Sequence, residues 1–254
     1  MNIKERLADN GKGTRIPKVI HYIWVGGNPL TPLAEKCIKS WEKNCPDYEI
    51  KRWDETNFDI NQNEYCKQAY EKRKWAFVSD YIRLKVLYDE GGIYMDTDVE
   101  VLKPLDDFLD NHAFSGYENK DTIPTGIIAS EKHGVWVKNL LKDYEKKQFI
   151  NSDGSLNTET NVVQITKTTK KMYPDLVLNN TITDLKEVVF YPKDYFCPID
   201  LVSNKKRITN NTYTIHWFAG SWLTSRQRCK KHIKKILNFI SFGLFGKIVK
   251  KKTV

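Results

Sequence analysis

Residues 19–25 (VIHYIWV) are β-branched and aromatic and run into Gly26-Gly27-Asn28-Pro29, a pattern that predicts a strand followed by a loop. Residues 31–44 have helical spacing with Thr31 placed as a cap, and 48–53 form a second short strand before Asp54. The chain thus opens β-α-β. Over 75–90, Val78, Ile82, Leu84, Leu87 and Tyr88 recur at helical intervals, and Gly91-Gly92 supplies the backbone freedom that a helix end needs. A buried strand is expected at 93–95. Beyond it, 113–117 and 127–129 read as strands, 135–148 as a helix, and 188–191 and 213–217 as further strands. The polar, Ser/Thr/Asn-rich stretch 151–160 reads as a loop.

A different pattern occupies the end of the chain. Ile233, Ile236, Leu237, Ile240 and Leu244 line one side of a helix, with Phe239, Phe242 and Phe245 widening it, and Lys230, Lys231, Lys234 and Lys235 fill the remainder. Followed by Lys250-Lys251-Lys252, this is a basic amphipathic segment suited to an anionic membrane surface, or else a helix docked on its own domain.

Charge sharpens that division. The net +9 points toward nucleic acid until it is located: 226–254 holds ten of the 41 lysines and arginines and no acidic residue, leaving 31 basic against 32 acidic in 1–225. With a near-neutral body, no nucleic-acid partner is expected. At 254 residues and 40% hydrophobic, the chain fits one large α/β domain, 1–225, with 226–254 as a membrane-association segment. Five scattered cysteines without a C-x-x-C pair fit a reducing compartment, and residues 1–18 carry no apolar run of signal-peptide type. The expectation is a cytoplasmic protein lying peripherally on the inner face of the membrane.

The chemistry concentrates in Gly91-Gly92-Ile93-Tyr94-Met95-Asp96-Thr97-Asp98-Val99-Glu100, where a hydrophobic strand runs directly into two carboxylates. Ionised carboxylates beside a core strand are costly unless a cation or hydrogen bonds compensate. At alternate positions of an extended segment, Asp96 and Asp98 would point the same way and address one hard divalent ion. An isolated D-x-D also fits a solvated turn. Asp80 and Arg83, one helix upstream, are spaced to share a helix face: either a surface ion pair, or a carboxylate for sugar hydroxyls beside a guanidinium fork for phosphate or carboxylate.

Taken together, Ser79-Asp80-x-x-Arg83-Leu84-x-x-Leu87-x-x-x-Gly91-Gly92-x-Tyr94-x-Asp96-x-Asp98 resembles the DXD-containing sugar-binding region of glycosyltransferase family 32. The stretch 16–26 (IPKVIHYIWVG) and His216-Trp217-x-x-x-Ser221-Trp222 are also similar to that family, and the catalytic domains of large clostridial glucosylating toxins resemble the chain more distantly. The resemblance implies a GT-A fold: a mixed, mostly parallel α/β sheet with a Rossmann-like N-terminal half. It further implies a nucleotide-sugar donor, a divalent metal and retention of anomeric configuration. On it, His21 and Trp24 would floor the base and ribose; Asp80, Arg83, Asp96, Thr97, Ser221 and Trp222 would hold the rest of the donor. Asp96, Asp98 and His216 would ligate Mn²⁺ or Mg²⁺, and Thr125 and Asn161 would line the acceptor side, although Asn161-Val162 stands where the family often has Gly-Pro. Asp80, Arg83, Asp96 and Asp98 are the residues expected to be essential for catalysis. The expected donor is UDP-galactose or UDP-glucose, with GDP-mannose the alternative, and the acceptor a glycan, lipid-linked or polymer-bound, in capsule or surface-polysaccharide assembly. Two rivals remain from the residues themselves: a paired-carboxylate hydrolase, and a non-catalytic adaptor working through its basic tail.

Overall fold

The structure is a computed structural model that describes residues 14–118, 122–124, 126–200, 203 and 205–220; the segment 226–254 lies outside the described residues. The opening β-α-β is present as β1 (Val19–Ile23), α1 (Pro32–Asn44) and β2 (Glu49–Trp53). Thr31 caps α1 by accepting from the Ala34 N–H at 3.2 Å, and Pro32 starts it where a missing N–H costs nothing. Then come α2 (Glu64–Glu71) and α3 (Trp75–Glu90). In α3, Asp80 and Arg83 are buried along with Val78, Tyr81, Ile82, Leu84, Val86 and Leu87, so the helix is enclosed on nearly every side.

α3 stops at Gly91 (φ 73°), whose N–H returns to the Leu87 carbonyl at 3.0 Å, and β3 (Gly92–Met95) begins at once. A Cβ on Gly92 (φ 105°) would stand 2.7 Å from the Val19 oxygen and 2.8 Å from His21 Nε2. Only glycine lets β3 enter this close beside β1. The chain continues through β4 (Val99–Val101), β5 (Ala113–Gly116), β6 (Ile127–Ser130), α4 (Val135–Lys142), α5 (Asn161–Met172), β7 (Thr183–Asp184), β8 (Val189–Tyr191), α6 (Lys193–Phe196) and β9 (Thr214–His216).

The main sheet has the order β2-β1-β3-β6-β5-β8-β7, and β4 pairs separately with β9. β1, β2, β3, β5 and β8 run one way, β6 and β7 the other. This is the expected mixed, mostly codirectional sheet with a parallel N-terminal half. The carboxyl ends of five strands therefore share one edge. Alternation divides the core: Ile93, Met95, Ile127, Ala129, Val189 and Tyr191 join one cluster with α1, while Tyr94, Ile128 and Phe190 face the opposite cluster with α2 to α5.

The sequence reading holds no counterpart of α2, β4, β7 or α6, and two further departures concern α4 and α5. The helix expected over 135–148 ends at Lys142, because Tyr144 and Phe149 both turn in against Tyr65, at ring separations of 5.1 and 5.5 Å. Residues five apart on a continuous helix would diverge by well over a right angle. The unforeseen α5 packs on α4, where Trp136 Nε1 donates to Thr169 Oγ1 at 2.9 Å.

Candidate active site

Asp96 leaves the carboxyl end of β3, and its backbone N–H is held by the Gly126 carbonyl at 2.9 Å where β6 begins. The next two residues form a turn, closed by the Val99 N–H to the Asp96 carbonyl at 2.9 Å. This corrects the expectation of an extended Asp-x-Asp: the carboxylates converge because the chain bends. β9 supplies the third group. Val99 stands opposite His216 in the β4–β9 ladder, and the Trp217 N–H binds the Asp98 carbonyl at 2.9 Å. His216 Nε2 consequently lies 3.2 Å from Asp98 Oδ1 and 3.9 Å from Asp96 Oδ2.

One ligand atom from each of Asp96, Asp98 and His216 falls within 4.8 Å of the others, and all three side chains are half-buried. Two carboxylate oxygens and an imidazole nitrogen at this separation fit a divalent cation of the Mn²⁺ or Mg²⁺ class with positions left over for a ligand. His216 is packed so closely on Gly126 that a Cβ there would stand 2.8 Å from His216 Nδ1. Burial opposes charge on His216, yet hydrogen bonds to Asp98 and Cys197 and the charges of Asp98 and Asp96 outweigh it and raise the imidazole well above its usual value.

Beside this triad lies the α3 pair, buried rather than on the surface. Arg83 Nη2 meets Asp80 Oδ1 at 3.0 Å and Arg83 Nη1 meets Asp96 Oδ1 at 3.5 Å, so the guanidinium bridges the two acidic positions. Its orientation is locked by Nε to the Ser79 carbonyl at 3.1 Å, Nη2 to Ser79 Oγ at 3.0 Å, and the Tyr94 ring 4.5 Å from its centre. The Tyr94 hydroxyl in turn donates to Asp96 Oδ1 at 2.6 Å. Burial pushes the Asp80 carboxyl up to about 6 despite Arg83.

The other expected residues divide. Trp24 follows β1, and its Nε1 donates to the Asn28 carbonyl at 2.7 Å; the adjoining Gly26 N–H donates to Glu55 Oε1 at 2.6 Å, which ties the loops after β1 and β2 together. His21, expected to bind donor, is fully buried, with Nε2 against the Gly91 carbonyl at 2.7 Å and Nδ1 accepting from Trp53 Nε1 at 3.0 Å. Both ring nitrogens are committed and no face is open, so His21 is a structural residue under the Gly91-Gly92 junction. Thr97 occupies the turn between the two aspartates. Asn161, expected on the acceptor side, starts α5 and lies beside Asp80, whose carboxylate it helps keep ionised. Thr125, Ser221 and Trp222 lie outside the described residues.

One acidic residue escaped the sequence reading. Glu118, two positions past β5 on the same sheet edge, feels both His216 and Asp96, and burial raises its carboxyl. No spacing rule links it to Asp96; only the sheet order does.

Residues 32–115 match the family described as a glycosyltransferase sugar-binding region containing a DXD motif. That match spans about a third of the chain and takes in Asp80, Arg83, Asp96 and Asp98. The chain is similar to an uncharacterized glycosyltransferase, L373, of Acanthamoeba polyphaga mimivirus, 28% identical over 85% of this chain and 87% of that protein. It is also similar to inositol phosphoceramide mannosyltransferase 3 of Schizosaccharomyces pombe, 28% identical over 46% of this chain and 33% of that one. Among solved structures, the PaToxG glycosyltransferase superposes with a TM-score of 0.48 at 21% identity, covering 63% of this chain and 70% of that chain. The DXD turn at a strand's carboxyl end, on a mixed sheet with a Rossmann-like half, is a GT-A arrangement.

Proposed function

We propose that the chain is a glycosyltransferase that moves a hexose from a nucleoside-diphosphate sugar, UDP-galactose or UDP-glucose, onto a glycan acceptor with retention of anomeric configuration, in capsule or surface-polysaccharide assembly. The observation that carries the reading is the convergence of Asp96, Asp98 and His216 on one point, with Arg83 spanning from Asp96 to the buried Asp80. A divalent ion held by the three ligands would neutralise the diphosphate leaving group. Arg83 adds fixed positive charge beside the same group, and Tyr94 holds Asp96 in place. Asp80 accepts from hydroxyls of the hexose. The acceptor hydroxyl attacks the anomeric carbon on the face the phosphate leaves, and the departing phosphate oxygen takes the hydroxyl proton.

Strand spacing supports the donor's direction. β1 and β2 lie one and two strands from β3, about 5 and 10 Å away, so a nucleoside beyond the diphosphate would reach the loops joined by Gly26 and Glu55. Trp24 offers an aromatic face there. A GDP-mannose donor is the second reading, favoured by the likeness to the fission-yeast mannosyltransferase. The basic segment 226–254 would hold the enzyme on the anionic inner face of the membrane, beside a lipid-linked acceptor.

The test is binding and turnover of UDP-glucose, UDP-galactose and GDP-mannose with Mn²⁺, repeated with Asp98→Asn. One donor should bind and be consumed in the presence of metal, with both lost in the variant. Donor binding unchanged in Asp98→Asn would refute the metal role, and metal-independent cleavage of simple glycosides would favour a hydrolase.

A further inference from the structure

His216 joins the two aspartates from a distant strand, and its ring must hold one orientation to present Nε2 to Asp98 Oδ1 at 3.2 Å and to Asp96 Oδ2 at 3.9 Å. A further side chain bonds this ring: Cys197, a free cysteine only 3% exposed, makes a side-chain hydrogen bond with His216. Nε2 is turned to the carboxylates, which leaves Nδ1 for the sulfur.

The elements around Cys197 fix where that sulfur stands. Cys197 ends α6, its N–H returning to the Lys193 carbonyl at 2.8 Å. Just before it, Phe196 packs so closely on β5 that a Cβ at Gly116 would stand 2.9 Å from its ring. Two bonds of 2.8 Å stitch α6 to the start of β9, from the Tyr213 N–H to the Tyr195 carbonyl and from Thr214 Oγ1 to the Phe196 carbonyl. Cys197 and His216 therefore follow directly from two elements that are bonded to each other. Gly126 bounds the imidazole as well, since a Cβ there would stand 2.8 Å from Nδ1 and 3.0 Å from Cε1.

A histidine that ligates a metal through one nitrogen is held by the hydrogen bond its other nitrogen donates, which sets both tautomer and ring plane. A carboxylate, a carbonyl or water usually receives that bond; here the acceptor is a sulfur, which is weak. Among the described residues the group converging within 4.8 Å is Asp96, Asp98 and His216, without Cys197. The sulfur backs the imidazole and is not a fourth ligand.

We propose that Cys197 is a positioning residue for the metal site, its sulfur accepting from His216 Nδ1–H and so fixing the tautomer whose Nε2 lone pair is free for a divalent cation. This rests on the metal reading above and requires no contact between Cys197 and donor or acceptor.

The experiment is calorimetric titration of Mn²⁺ into wild type, Cys197→Ala, Cys197→Val and Cys197→Ser, with the Tm of each metal-free protein measured alongside. Serine keeps an acceptor in place of the sulfur, valine fills the space without one, and alanine does neither. Mn²⁺ affinity should fall roughly tenfold in the alanine and valine variants and stay within about threefold of wild type in Cys197→Ser. Affinity retained in Cys197→Val, or lost as far in Cys197→Ser as in Cys197→Val, overturns the role, because packing alone then accounts for the site. These two variants decide the question even where Cys197→Ala fails to fold. A wild type that binds no Mn²⁺ refutes the metal site itself, whereas binding that none of the substitutions moves overturns the role of Cys197 alone.

Discussion

Asp80→Asn separates what the buried carboxylate does for the fold from what it does for the reaction. Burial raises Asp80 from 3.8 to about 6, with Arg83 only partly offsetting it. Below pH 3.8 both folded and unfolded chains hold the proton, so charge on Asp80 has no effect on stability there. Between 3.8 and 6 the folded chain keeps a proton the unfolded chain has lost, so stability falls as pH rises through this window. Above 6 the full penalty is present, about 3 kcal/mol at 1.36 kcal/mol per pH unit. Asparagine keeps the shape and removes the charge, and Arg83 still has Asp96 at 3.5 Å and the Tyr94 ring. Asp80→Asn should therefore be more stable than wild type at pH 8 by up to about 3 kcal/mol, or roughly 6–12 °C in Tm for a chain of this size. The gain should shrink to about half at pH 5. Urea unfolding at both pH values measures it, alongside donor consumption, which should fall at least tenfold as the hydroxyl acceptor weakens. A variant less stable than wild type at pH 8, or a gain that grows toward pH 5, would refute the reasoning.

Metal loading should be coupled to proton release, because a ligating imidazole must be neutral and His216 is held protonated well above its usual range; Mn²⁺ affinity measured by calorimetry should weaken as pH drops from 8 to 6.5, and a flat profile would contradict the placement of His216. Gly126→Ala should push the His216 ring off its position, lowering Mn²⁺ affinity at least tenfold while circular dichroism stays native; unchanged affinity would mean the ring has room to move. Gly92→Ala should destabilise by several kcal/mol, since its Cβ meets the Val19 carbonyl at 2.7 Å in a backbone region that favours glycine, and a Tm within 2 °C of wild type would argue against the tight β1–β3 approach. Removing 226–254 should abolish binding to vesicles rich in phosphatidylglycerol and leave turnover on a soluble acceptor; retained vesicle binding would place the membrane contact elsewhere.

Sequence patterns carried those parts of the fold that local chemistry dictates. Thr31-Pro32 announced α1, Gly91-Gly92 ended α3, and the β-branched and aromatic run from Val19 gave β1 within two residues. The Asp96, Asp98 and His216 cluster was legible because strand, Asp-x-Asp and a distant His-Trp matched a family pattern. Missing from view was whatever depends on partners remote in sequence. α5 contains Val162, Val163, Ile165, Thr166, Thr168 and Thr169, β-branched residues with modest helix propensity, and it is helical because Ile165 and Thr169 pack on α4 and its surroundings. His21 carried a ligand's chemistry but spends it on Gly91 and Trp53. Glu118 reaches Asp96 only because β5 and β3 run the same way across β6.

The pairing of β4 with β9 has a consequence for biosynthesis. Asp96 and Asp98 leave the ribosome more than a hundred residues before His216, so a nascent chain halted before β9 already has the sequence of β3 and α3 but only two of the three candidate ligands. Closing a loop of that length is slow, so tight retention of a metal by the proposed site would be a late event in maturation. Manganese held against a mild chelator would then distinguish the finished chain from C-terminally truncated fragments in a translating extract.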